Sequence, residues 1–105
     1  MNICRKVNSF PDTTPIINNM STYITKASAY TIVHIIGENF SLDGSTGYSV
    51  VLFGEMEIPV IFYNSQHISF VVPLNKKNGE YTIKVVNKNY FQTNLYSNEK
   101  KFEII

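Results

Sequence analysis

The sequence has one cysteine, few charges and no tryptophan, and the first two shortages each remove a class of function. With Cys4 alone no intrachain disulfide can form, so a disulfide-stapled secreted scaffold is excluded. Cys4 lies near the N-terminus and could bridge only between chains; it reads as a bystander thiol. Charged residues make up 16% of the chain and the formal net charge is +1, whereas soluble domains carry about 25% charged residues. A near-neutral chain has no long-range field with which to capture DNA or an anionic membrane. No run of eighteen apolar residues occurs, so no membrane insertion is expected. The first ten residues are polar and lack an apolar core, so a signal peptide is not expected and synthesis inside the cell is. Helical periodicity is nearly absent.

What remains is 105 residues, 44% hydrophobic, with seven Tyr and seven Phe. That length fits one domain with a core of its own. Short β-branched and aromatic runs alternate with Gly, Pro and Asn clusters, the pattern of strands and turns. Seven strands are expected, over residues 15–18, 30–37, 48–53, 57–63, 67–72, 81–86 and 101–105. The fourth should bend at Pro59, because proline cannot donate to a central ladder. Seven short strands at this spacing predict an all-β fold, a single antiparallel β-sandwich over residues 15–105. Residues 1–14 are expected to form a polar, extended N-terminal arm holding Arg5, Lys6, Val7 and Phe10, either a frayed terminus or a segment that docks on a neighbouring molecule.

Five segments carry a family resemblance. Val33-His34-Ile35-Ile36-Gly37-Glu38-Asn39-Phe40 is similar to V-x-I-x-G-x-N-F, and Val51-Leu52-Phe53-Gly54 to V-x-F-G. Ile68-Ser69-Phe70-Val71-Val72-Pro73 resembles a strand ending in V-P. Gly79-Glu80-Tyr81-Thr82-Ile83-Lys84-Val85-Val86-Asn87 resembles G-x-Y-x-I-x-V-x-N, and Phe102-Glu103-Ile104 the closing F-x-I. In this order they resemble the IPT/TIG domain family. The resemblance implies an immunoglobulin-like sandwich that binds, spaces or dimerises and has no catalytic role of its own. Within the first motif, Gly37 is expected at positive φ, Phe40 as a plug over one end of the core, and Asn39 bonded to loop backbone.

Strand parity then sorts the faces. With Val33 and Ile35 inward, Ile32, His34 and Ile36 point outward, joined on the pairing strand by His67, Ser69 and Val71. With Val51 and Phe53 inward, Val50 and Leu52 point outward, beside Thr82, Lys84 and Val86. Half-buried strands usually place polar residues outside, yet both outer faces keep large apolar groups. Residues expected to meet other proteins are therefore Phe10, Ile32, His34, Ile36, Val50, Leu52, Val71 and Val86. Tyr90 and Tyr96 join them from the aromatic segment 89–96, where rigid rings offer contact area at low entropic cost. In that segment Phe91 and Leu95 read as an extension of the strand pair.

Nothing assembles into a catalytic set, so no enzyme, metal or cofactor is expected. His34 and His67 should lie on paired strands with both rings outside, but no third ligand has suitable spacing for zinc. Asp43-Gly44-Ser45-Thr46-Gly47 matches neither a nucleophile elbow nor a phosphate loop. Glu55 and Glu57 read as a solvated turn. Lys76-Lys77 and Lys100-Lys101 are isolated pairs beside acidic residues, which disfavours nucleic-acid recognition. The expected function is non-enzymatic: a structural or assembly protein working through protein–protein contacts, with other subunits of a particle or homo-oligomer as partners. The sharpest form of this expectation is a small capsid-associated or decorating component of a large virion. The alternatives are a module binding carbohydrate or a cell-surface receptor through the aromatic segment, and a homodimerising regulatory domain.

Overall fold

The computed structural model describes residues 14–42, 47–89 and 93–105, and these form ten strands without a helix. In chain order they are β1 (Ile16–Met20), β2 (Ile24–Thr25), β3 (Ile32–Glu38), β4 (Gly47–Phe53), β5 (Met56–Pro59), β6 (Ile61–Asn64), β7 (His67–Val71), β8 (Gly79–Asn89), β9 (Leu95–Tyr96) and β10 (Lys100–Ile104). One sheet has the order β1-β3-β7-β6. The other runs β2-β10-β8-β4-β5, with β9 also pairing β8 beyond the end of β10. Pairing is antiparallel except between β2 and β10, whose two short segments run parallel. The arm residues 1–13, with Cys4 and Phe10, lie outside the described residues, as do 43–46 and 90–92.

The expected strand over 57–63 is two strands in two different sheets. Residues Met56–Pro59 pair with β4, and Ile61–Asn64 pair with β7 on the other side of the core. Pro59 ends the first ladder where its missing N–H costs nothing, at the sheet edge. Val60 carries the chain across, and strand parity restarts at Ile61. Two short strands, β2 and β9, add to the seven expected, because runs of two residues give no periodicity to read. Leu95 and Tyr96 do extend the sheet, opposite Asn87 and Val86.

The core fills as parity dictates. Val33, Ile35, Ile68 and Phe70 of one sheet meet Val51, Phe53, Ile83, Val85, Phe102 and Ile104 of the other, all essentially without solvent contact. Phe53 is the hub, with Phe70 at 6.3 Å and Phe102 at 5.7 Å in edge-on contact and Tyr81 tilted at 4.9 Å. Edge-to-face rings avoid quadrupole repulsion and add to simple burial.

At one end of the core the G-x-N-F segment closes the sandwich, by a device other than the one its sequence suggests. Gly37 does not have positive φ; that conformation belongs to Asn39, at φ 67°. Gly37 is required instead by close approach: a Cβ there would stand 1.8 Å from the Ile16 carbonyl oxygen and 2.7 Å from Phe40 Cζ. Phe40 is buried as the plug. Asn39 tolerates the left-handed region as few residues do, and its side-chain amide donates to the Thr14 carbonyl at 3.0 Å. Asn87 holds the loop from the opposite sheet. It donates to the Asn39 carbonyl at 2.7 Å and accepts from Ser49 Oγ at 2.5 Å, while Ser49 Oγ accepts the Ser41 N–H at 2.8 Å. Buried polar atoms of this kind are tolerated because they are bonded.

Candidate functional site

The two outer faces differ in charge. The four strands β1, β3, β6 and β7 contain one charged residue, Glu38, at the end of β3. The other sheet carries Glu57, Glu80, Lys84, Lys88, Lys100, Lys101 and Glu103. Its outer face is crossed by ion pairs, Lys84 with Glu99 at 3.3 Å and Lys88 with Glu57. Lys88 sits opposite Tyr48 and Glu57 opposite Leu52, so their bond spans the row formed by Val50 and Val86. The hydrogen bond that Lys88 donates to Glu57, opposed by some desolvation, raises the Lys88 pKa above its ordinary value.

This arrangement corrects the exposure expected for two valines. Val50 and Val86 keep outward parity but are only 6% and 2% exposed. They pair with each other at the sheet centre, flanked by Pro59 on one side and Tyr96 on the other. Val50 also lines a cleft of about 170 Å3 with Leu42, Tyr48 and Phe62 among its walls. The chain's own side chains cover them, so neither offers a free surface. Leu52 is half-buried in the same face and Tyr96 is exposed. Phe10 and Tyr90 lie outside the described residues.

On the β1-β3-β7-β6 sheet the expected residues come together. Ile32 pairs with Val71, His34 with Ser69, and Ile36 with His67. Ile32 and Ile36 are exposed, while His34, His67 and Val71 are half-buried. The diagonal across β3 and β7 brings His34 Nδ1 within 2.9 Å of His67 Nε2, one nitrogen donating and the other accepting according to tautomer. The Tyr63 ring stacks on His67 at 4.2 Å and leans on His34 at 5.7 Å. Its hydroxyl shares a 3.1 Å hydrogen bond with Ser69 Oγ, which accounts for a fully buried serine on an outer face. Exposed Ile61, opposite Ser69, and Ile16, opposite Glu38, complete the apolar surround.

Tyr63 and Ile61 are the residues that sequence reasoning left out. Reading 57–63 as one strand assigns them no face of this sheet; restarting parity after Pro59 would have placed them. No cluster of three or more His, Cys, Asp or Glu able to hold a metal occurs among the described residues. No helix there is long and apolar enough to cross a membrane.

Comparison with known proteins agrees with the motif order. A family model described as IPT/TIG domain matches residues 15–104. No curated protein sequence matches the chain. Among solved structures, the TIG domain of human nuclear factor of activated T-cells, cytoplasmic 4, superposes with TM-score 0.64 at 16% identity, covering 94% of each chain. An auxiliary nutrient binding protein from Bacteroides thetaiotaomicron matches with TM-score 0.63 at 23% identity, over 87% of this chain. The chain spans about one fifth of that protein, 20% of its length. At these identities the likeness is one of fold.

Proposed function

The chain belongs to the IPT/TIG domain family, and from that premise we propose that it is a non-catalytic module that holds another protein against the outer face of β1-β3-β7-β6. Domains of this family serve protein–protein contact or binding, and the choice of face is specific to this chain. One observation carries it: four strands present Ile16, Ile32, Ile36, Ile61 and Tyr63 exposed, with Glu38 as their one charge. Contiguous apolar surface of this kind favours burial against a partner. The four strands hold no lysine or arginine and a single carboxylate at one end, which favours a partner patch that is itself uncharged, since a charged group buried there would lack a counter-ion. The capsid-associated role is the finest form of this reading, with a neighbouring subunit as the partner. Neither structural neighbour named above is a particle protein, so that context rests on the face alone.

The test compares Ile36→Asp and Ile61→Asp with Lys84→Asp, which alters the opposite sheet. Sedimentation equilibrium of the purified chain reads self-association, and cross-linking in extracts of its source reads other partners. Central apolar anchors typically contribute about 2 kcal/mol or more, so each face variant should weaken the association about 30-fold while the Lys84 variant does not. A wild-type chain that stays monomeric at millimolar concentration and recovers no protein overturns the proposal. Face variants that bind as wild type overturn it equally.

A further inference from the structure

We propose that the His34–His67 pair makes this face proton-sensitive: the two rings stay joined while they carry at most one proton between them beyond the neutral state, and separate when both are charged. The role of that switch in docking rests on the reading above; the switch itself is a property of the free chain. The contact of Nδ1 with Nε2 at 2.9 Å needs one N–H and one lone pair. Two neutral rings satisfy it, and so does an imidazolium donating to an imidazole. Two imidazoliums cannot, because both nitrogens then carry hydrogen and no acceptor remains. Histidine is the side chain that ordinarily gains its charge between about pH 5 and 8.

The surroundings accommodate one positive charge and offer little to a second. From β6 comes the Tyr63 ring, stacked on His67 and able to face a single cation with its π surface. The Tyr63 hydroxyl is engaged with Ser69 of β7. From β1 comes Asn19, opposite Ile36, and just after β1 the Ser21 hydroxyl accepts the His34 backbone N–H at 2.9 Å. The turn between β6 and β7 contributes Ser65 and Gln66, and Asn64 pairs with His67. All of these are neutral. The one charge on the four strands, Glu38, is opposite Ile16 and two residues beyond Ile36, on the far side of that row from His34. Two imidazoliums would therefore repel across the centre of an apolar face, parting the rings and charging the surface that the partner must desolvate. Docking is then linked to release of the second proton.

Imidazole-detected NMR of the free chain from pH 8 to 5 tests the switch. The expected result is ring signals that move in two resolvable steps, with the His34–His67 inter-ring contact kept through the first and lost in the second. In His67→Gln the remaining ring should titrate in one step. Self-association, with a second copy of the chain presenting the same face as the probe, should weaken up to about a hundredfold per pH unit across the second step, the slope for uptake of one proton by each copy. Independent one-step titration of both rings, with the contact unchanged, overturns the proposal. The neutral variant Ile61→Ser separates the two readings: it should weaken association and leave the two-step titration intact. Two-step titration with no association in any form retains the switch and overturns the docking role.

Discussion

Replacing Gly37 by alanine is an experiment whose sign, as well as its size, is decided by the structure. Gly37 lies outside the left-handed region, so alanine can adopt its backbone. On backbone entropy alone Gly37→Ala should therefore stabilise the chain by about 0.4–1 kcal/mol, through the unfolded state. The packing says the reverse. The added Cβ would meet the Ile16 carbonyl oxygen at 1.8 Å and carbon at 2.9 Å, both backbone, and Phe40 Cζ at 2.7 Å. Backbone cannot swing aside as a flexible side chain can, so β1 must shift from β3 where Ile17 faces Gly37. Phe40 must also retreat from its plug position. Overpacking of this kind costs about 1–3 kcal/mol, and a lost ladder bond adds about 1 kcal/mol, for a total near 3 kcal/mol. Urea denaturation followed by tyrosine fluorescence measures it. With a slope of about 1.5 kcal/mol/M the midpoint should fall by about 2 M, with the slope unchanged. A midpoint equal to or above that of the wild type would refute the close-approach account of this motif.

Two further outcomes follow from the polar framework. Asn87→Ala removes the acceptor for Ser49 Oγ, a buried bond, and the donor to the Asn39 carbonyl, a part-buried one, and should cost about 2–3 kcal/mol in the same denaturation assay. In a double-mutant cycle with Ser49→Ala the two losses should fall short of additivity; full additivity would show that the pair does not act as a unit. Lys88 bears on alkaline stability: its folded pKa is raised above 10.5 by Glu57, so the stabilisation is present below pH 10.5 and lost as pH rises through the folded value. Thermal melts of wild type and Lys88→Met should converge above that range, with only a small difference below it because the pair is surface-exposed. A gap that persists at high pH would contradict the assignment.

Much of this protein was legible in the order of its residues. The period of two in 32–36 and 67–71 set which side chains face the core, because a strand has no other way to dispose alternate residues. The same parity placed His34 and His67 on one outer face, and the five motifs gave the family. Tertiary structure decided what parity cannot. Parity gives direction without cover: Val50 and Val86 point outward yet are sealed by pairing at the sheet centre beneath the ion pair of Lys88 and Glu57. It also fails across a break in the ladder, so Ile61 and Tyr63 found their sheet only once the chain had crossed at Pro59 and Val60. Gly37 is glycine because the Ile16 backbone passes against it, a neighbour twenty-one residues away in sequence that no local pattern announces. The 2.9 Å contact between the histidines depends on the diagonal register of β3 with β7, which is fixed by the core beneath them. The sequence by itself determined direction, period and family; distance and cover belong to the folded chain, because both depend on residues brought together from separate strands.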